Sequence, residues 1–449
     1  MKMQNIRKEQ PVGLMPNAEP ESIKRRLTNI MPKTAVVILF LCEFFVLLFP
    51  DVQLITGPIF TVLSVYLMFT DYFYVPFTVI IIPMGALGTI IAGKLAIYYL
   101  LYPLLLIRLF ASGFKLKIKA SDFLIIVIGA IHIAELVIVE DYTNTAKLLY
   151  VSATFFWFFY LKCISRENRA YLNNAFTSLA MSITANAFAS ILSGSYSKYD
   201  TADRLGIAGV GGGNPNFAAF YIGIAIAIIL STKKFKIFVK LPILLVLGFA
   251  LITTVSLSGL IGVVVVLLAY FTFANKDKHK LTILLAVLLA AVLAVTLFPL
   301  LNIQSESSSN STNYLEYYQD KLSERLDSFK NQNYDDVTSN RTSVLKDNLE
   351  FFSDQSVMHQ LFGGNSVNPY NYLVSHNSYA DILMRFGYAG LLVILLAVIY
   401  RFYRQLLYAR KSGDCIILMC KIALLFWSFT SSMFEGIGSC LWIAVLLTF

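Results

Sequence analysis

Charge is scarce in this chain. Only 14% of its 449 residues are Asp, Glu, Lys or Arg, against the roughly 25% usual in soluble proteins, while 57% are hydrophobic. That excludes an ordinary water-soluble domain. The five cysteines (Cys42, Cys163, Cys415, Cys420, Cys440) form no C-x-x-C pair and lie in or beside apolar runs, so neither a disulfide framework nor a zinc site is indicated. No outward group of His, Asp and Glu has metal-ligand spacing, and the glycines of "GVGGGNPN" lack the spacing and preceding strand of a nucleotide site. No cofactor is therefore expected. The first 33 residues are polar and carry Pro11, Pro16, Pro20 and Pro32. Without an early apolar core and a cleavage site, they read as a disordered cytoplasmic tail and not as a signal peptide.

What is present is apolar length. Runs of roughly 17 to 25 residues, each able to cross about 30 Å of hydrocarbon as a helix, recur almost from end to end. They are too long and too continuous for the alternating segments of a barrel, so the expected fold class is all-α and polytopic, with about 12 to 14 transmembrane helices. The formal charge of +9 does not point to nucleic acid. Its basic residues fall in short clusters between apolar runs: Lys24, Arg25 and Arg26; Lys115, Lys117 and Lys119; Lys233, Lys234 and Lys236; Lys276, Lys278 and Lys280. If these clusters face the cytoplasm, four regions follow: the tail (1–33), a transmembrane bundle (34–300) with an outer loop at 193–213, a large outer loop (301–376) and C-terminal transmembrane helices (377–449). The large loop up to Ser375 holds five Lys and Arg against ten Asp and Glu, the reverse of the cytoplasmic clusters.

A loop that long is rarely a mere connector. Leu315, Tyr318, Leu322, Leu326 and Phe329 recur at helical spacing and predict an amphipathic surface helix. A second helix is expected over 342–352, with His359 assigned to it, and Gly363 and Gly364 break the chain before it re-enters the bilayer. Arg341 opens that helix; His376 and Asn377 stand where "SHNSYADILMRFGYAGLL" turns from polar to apolar. In this order Arg341, Leu361 to Gly364, His376, Asn377, Gly387 and Gly390 resemble the signature of the O-antigen ligase and polymerase superfamily of bacterial membrane glycosyltransferases. A second stretch, "DRLGIAGVGGGNPNFAAF", resembles that family's earlier outer loop, with Arg204, Asn214, Pro215 and Asn216 in place. One departure lies in "TTVSLSGL", where many members show Ser-Arg and this chain has Ser256 followed by Leu257.

The resemblance implies a transferase in the bacterial plasma membrane, acting on an undecaprenyl pyrophosphate-linked oligosaccharide, with membrane lipid and other polysaccharide-assembly proteins as partners. It implies Arg204 and Arg341 on the leaving pyrophosphate, His376 as general base toward the acceptor hydroxyl, and Asn377, Asn214 and Asn216 as substrate-binding residues. The chemistry suits the residue types. Arginine forms bidentate contacts with phosphate, and a histidine of ordinary pKa near 6.5 exchanges protons close to neutrality.

Each residue also has a plainer reading. His376 stands beside a possible capping box, Ser378 with Asp381. Arg341 suits a solvated loop charge, and Arg204 an ion pair with Asp200 or Asp203. Within apolar runs His132, Glu135, Glu43 and Glu435 mark a cavity or a buried partner. A repeat-unit polymerase is the leading expectation. A ligase to another acceptor, a lipid-linked oligosaccharide flippase and a structural membrane subunit are its rivals; a flippase predicts internal repeats, which this sequence does not display.

Overall fold

A computed structural model describes residues 20–76, 78, 89–91, 95–111, 119, 122–123, 125–127, 129–130, 152–162, 169–193, 196–199, 204–207, 215–254, 256–273, 323, 327–328, 330–331, 341–363, 377–430 and 437–448. The first helix, α1 (Pro20–Leu48), begins inside the 1–33 stretch expected to be disordered, which corrects that boundary. Pro20 suits a first helical position, where its missing N–H costs nothing, and Ile23, Leu27 and Met31 lead at helical spacing into the apolar run. A 3-10 turn at Pro50–Val52 folds the chain back into α2 (Gln53–Met68), which packs on α1. A short antiparallel hairpin follows, β1 (Thr89–Ile91) with β2 (Leu95–Ala96), where the sequence reads as the junction of two spans.

Next come α3 (Tyr98–Ala111), a helical stretch at 152–162, and α4 (Arg169–Ser193). The segment 193–213 contains a second hairpin, β3 (Tyr196–Tyr199) with β4 (Arg204–Ile207). Three apolar helices follow: α5 (Pro215–Ser231), α6 (Ile237–Thr253) and α7 (Leu257–Phe273). The large loop contributes α8 (Arg341–Ser353) and α9 (Val357–Phe362), and the chain ends in α10 (Ser378–Ser412), α11 (Ile416–Trp427) and α12 (Ile437–Thr448). His359 therefore lies in a separate short helix, because the turn at 354–356 ends α8. The predicted amphipathic helix around Leu315–Phe329 falls largely outside the described residues.

Among the described residues, three helices are long and apolar enough to cross a bilayer: Met31–Leu48 of α1, Leu172–Leu192 of α4, and α10. Shorter apolar helices accompany them in α2, α5, α6, α7 and α11. The protein is a predominantly helical membrane protein, and among the described residues its strands are confined to the two small hairpins.

Helix α5 is the centre of the bundle. Its sequence is apolar on every face, the pattern of a helix surrounded by others, and Ala218 through Thr232 are all buried. α4, α6, α7 and α11 pack around it. The ring of Trp427 is clamped there between Gly223 of α5 and Gly262 of α7, where an added Cβ would come within 1.9 Å and 2.6 Å of the indole. Phe220 meets Trp427 and Trp442 edge-on, at 5.5 Å and 6.2 Å between centroids.

Two buried lysines neutralise helix ends. Lys240 Nζ donates to the carbonyl of Leu230 (2.9 Å) in the last turn of α5, and Lys421 Nζ to that of Leu446 (3.1 Å) in the last turn of α12. A cation on C-terminal carbonyls is favoured by the helix dipole. Buried charge of another kind joins distant parts of the chain: Asp122 Oδ1 accepts from Lys162 Nζ (2.6 Å) and from Arg401 Nη2.

Candidate functional site

The site is organised by the end of α11. There the helix tightens, with Phe429 N donating to Phe426 O (3.1 Å) and Thr430 N to Trp427 O (3.0 Å). Carbonyls that would have continued the helical ladder are left to other partners. Leu425 O accepts from the Tyr379 hydroxyl (3.2 Å), Ser428 O from the backbone N–H of Ser378 (2.8 Å), and Thr430 O from Arg341 Nη1 (2.7 Å). One turn, 428–430, thus fastens both the first residue of α8 and the first turn of α10. Arg341 and the helix start that follows His376 are brought together on it, although 89 residues separate Arg341 from Thr430.

Asn377 is the N-cap of α10. Its side-chain oxygen accepts from Tyr379 N (2.9 Å) and Ala380 N (3.2 Å), satisfying two of the N–H groups that open the helix. The cap is one residue earlier than the Ser378 box that the sequence suggests. Serine and asparagine are both good caps, and a pattern of residue types does not separate neighbouring positions. The ring of Tyr379 lies 4.4 Å, centroid to centroid, from the exposed ring of Phe429.

Helices α8 and α9 rest on α10. Phe352 is buried and meets Tyr388 edge-on at 5.3 Å, and Gln360 ties α9 to the end of α8 through Ser353 O (2.7 Å) and Gln355 O (2.9 Å). The closest seam is between two glycines with positive φ: Gly363 (81°) ends α9 and Gly387 (63°) kinks α10. A Cβ on Gly363 would stand 2.1 Å from Arg385 O, and one on Gly387 2.5 Å from Leu361 O. Backbone lies against backbone here, which explains why a glycine break in the loop is answered by a glycine in the membrane helix.

The second motif is placed at the start of α5. Asn216 Oδ1 accepts from Ser256 Oγ (3.1 Å), which also accepts from Gly259 N (3.3 Å) and lies 3.2 Å from Ser258 Oγ. Ser256, where the family pattern places a Ser-Arg pair, is thus a buried hub between α5 and α7. Arg204 opens β4, its Cα paired with that of Tyr199, and β4 packs against α5 and α6. His376, Asn214 and Gly364, with His132, Glu135 and Glu435, lie outside the described residues. Glu43 is buried in α1, as a carboxyl within an apolar run requires. Among the described residues no group of three or more His, Cys, Asp or Glu is placed to hold a metal ion.

That 428–430 is the fastening point is hard to read from sequence, because backbone carbonyls are the same in every residue. One signal was available. "SFTSS" interrupts an apolar run with hydroxyl residues, which marks a turn inside what reads as a single span. With this geometry in place, the comparison with known proteins becomes informative. A family model described as O-Antigen ligase matches residues 242–395, from within α6 to within α10. That segment contains Ser256, Arg341, Gly363, Asn377 and Gly387. No curated protein was found to match the chain.

Proposed function

The chain belongs to the O-antigen ligase and polymerase superfamily, and from that premise we propose that it is a repeat-unit polymerase of bacterial surface polysaccharide. The reading has it working at the outer face of the plasma membrane, with an undecaprenyl pyrophosphate-linked oligosaccharide as donor and a second lipid-linked glycan as acceptor. The bond between the donor's anomeric carbon and the pyrophosphate oxygen breaks. A new bond forms from that carbon to an acceptor hydroxyl oxygen, whose proton passes to His376, and the lipid pyrophosphate departs. Negative charge grows on the leaving group, so guanidinium groups held nearby act where stabilisation counts most. Arg341 and Arg204 are assigned this task. Asn377 sets the direction of α10 beside His376, and Asn216 and Asn214 belong to the polar rim at the start of α5.

The observation that supports this most directly is the shared turn. Arg341 and the first turn of α10 are both fastened to 428–430, which supports a reading in which a cation and a proton acceptor work side by side, since positioning is a large part of what such a transfer needs. The test is transfer by the purified protein in detergent from its lipid-linked repeat unit, in EDTA. A ladder of lengthening products is expected. A single conjugate to a different acceptor would make it a ligase, unchanged lipid-linked substrate would remove the enzyme reading, and activity restored only by a divalent metal would overturn the role given to the arginines.

A further inference from the structure

Helix α9 turns apolar side chains outward. Of its six residues, Val357, Met358, Leu361 and Phe362 are 71%, 66%, 41% and 62% exposed. Their spacing sets them on one side of the helix, and His359 and Gln360 take the other. Apolar residues scattered singly over a surface need no explanation, but a contiguous group marks an interaction face. The helix is docked by other means: Gln360 ties it to the end of α8 through Ser353 O and Gln355 O, and the seam between Gly363 and Gly387 presses its backbone onto α10.

The depth of that seam identifies the partner. α10 is long and apolar enough to cross a bilayer, and Tyr388, Leu392, Leu396, Ile399 and Tyr403 stand exposed along it at steps of three and four residues, one continuous stripe on a membrane span. Beyond the kink the helix runs to Arg410 and Lys411, both exposed, cations that belong in the headgroup layer. Gly387 stands about 35 Å along α10 from Arg410. With roughly 30 Å of hydrocarbon between the two headgroup layers, the seam falls at the opposite boundary. Tyr388, which meets Phe352 of α8, is an aromatic of the kind enriched at that level. The outward face of α9 is thus continuous with the lipid-facing stripe of α10. We propose that α9 is an interfacial anchor, with Val357, Met358, Leu361 and Phe362 inserted among the acyl chains of the leaflet at that boundary. Helix α8 then runs between two fixed points, the 428–430 turn that holds Arg341 and the lipid that holds α9, so the bilayer sets the height of the candidate site.

The test reads depth and does not depend on transfer activity. The full chain, in a cysteine-free background, carries a nitroxide on Met358→Cys or Phe362→Cys and is reconstituted in vesicles of phosphatidylethanolamine and phosphatidylglycerol. Collisions with oxygen, which concentrates in hydrocarbon, are compared with collisions with a water-soluble nickel chelate. Both labels should favour oxygen, at a depth of about 5–10 Å below the phosphates. Leu396→Cys, midway along the stripe, should read deeper, and Lys346→Cys, on the exposed side of α8, should favour the chelate. Chelate-dominated collisions at Met358 and Phe362 would put the face in water and overturn the proposal. Shielding from both reagents would mean that protein covers it, another segment of this chain or a second copy, and would overturn it equally. As a second measurement, Met358→Asp with Phe362→Asp leaves the glycine seam intact and should cost 341–363 its protection from protease in the same vesicles, while Met358→Leu with Phe362→Leu should keep it. Equal protection in the two double variants overturns the anchor.

Discussion

The guanidinium of Arg341 is anchored before any substrate arrives: one of its five N–H donors is committed to Thr430 O, which fixes the plane of the fork. A lysine could keep the charge but not that plane. Arg341→Lys and Arg204→Lys should therefore each impair transfer far beyond the roughly 0–1 kcal/mol worth of a surface ion pair. His376→Ala should slow turnover by about a hundredfold or more, the usual loss for a general base. The internal control is His359→Ala, which removes an exposed ring whose hydrogen bond among the described residues is to the hydroxyl of Ser356, the cap of its own short helix (3.0 Å), and should be nearly silent. Steady-state transfer by purified variants checks all four. Wild-type rates in His376→Ala, Arg204→Ala and Arg341→Ala together would remove the assignment. Asn377 separates support from contact: Asn377→Ala should cost about 1 kcal/mol of stability by loss of the cap, and Asn377→Asp, which keeps an acceptor there, should restore most of it. If Asn377→Asp melts like the wild type yet fails to transfer, the side chain also meets substrate.

At the scale of elements, the junction of α9 with the kink of α10 has no room to spare. Gly387→Ala places a side chain at φ 63° and drives it into the backbone of Leu361. A loss of about 2 kcal/mol or more is expected, from the left-handed conformation and the steric conflict together. The measurement is thermal unfolding with limited proteolysis of 341–363. Cleavage should rise in that segment while the rest of the bundle stays resistant, and unchanged protection would show that α9 docks without this contact. Much of this region was legible beforehand. The expected bounds 342–352 match α8 to within a residue and the glycines at 363–364 fall where α9 ends, because such signals are local, whereas the turn at 354–356 that separates His359 from α8 was not foreseen. The kink at Gly387 was not, since a glycine in an apolar run reads as a tolerated helical residue until another backbone is pressed against it. The start of α1 was missed because four prolines dominate the composition of the tail, although one of them sits where a helix accepts it. The union of Asp122 with Arg401 spans 279 residues of chain, a distance at which composition and periodicity are silent.

For the whole molecule, the pairing of Asp122, Lys162 and Arg401 bears on sidedness. The charge-based map sets the beginning of one span, the end of another and the end of α10 on the cytoplasmic side, and the three residues that meet come from those places. The contacts put these three residues on one side of the bundle, and labelling decides which side that is. In a cysteine-free background, cysteines at Ser308 and Tyr334 should react with an impermeant maleimide in intact cells, and one at Lys278 should not; the opposite labelling would invert the molecule.

The position of Trp427 has an optical consequence. The chain has three tryptophans, Trp157, Trp427 and Trp442, and all are buried. Trp427 directly precedes the turn that holds Arg341 and the start of α10, and its ring is clamped by two glycines below that turn. In a Trp157→Phe, Trp442→Phe background the one remaining indole becomes an intrinsic fluorophore at the floor of the site. Shielded from water, it should emit at short wavelength. Any event that lifts the turn, whether a glycan lipid docking or Arg341→Ala releasing its carbonyl, would admit solvent and be seen as a red shift without an attached dye.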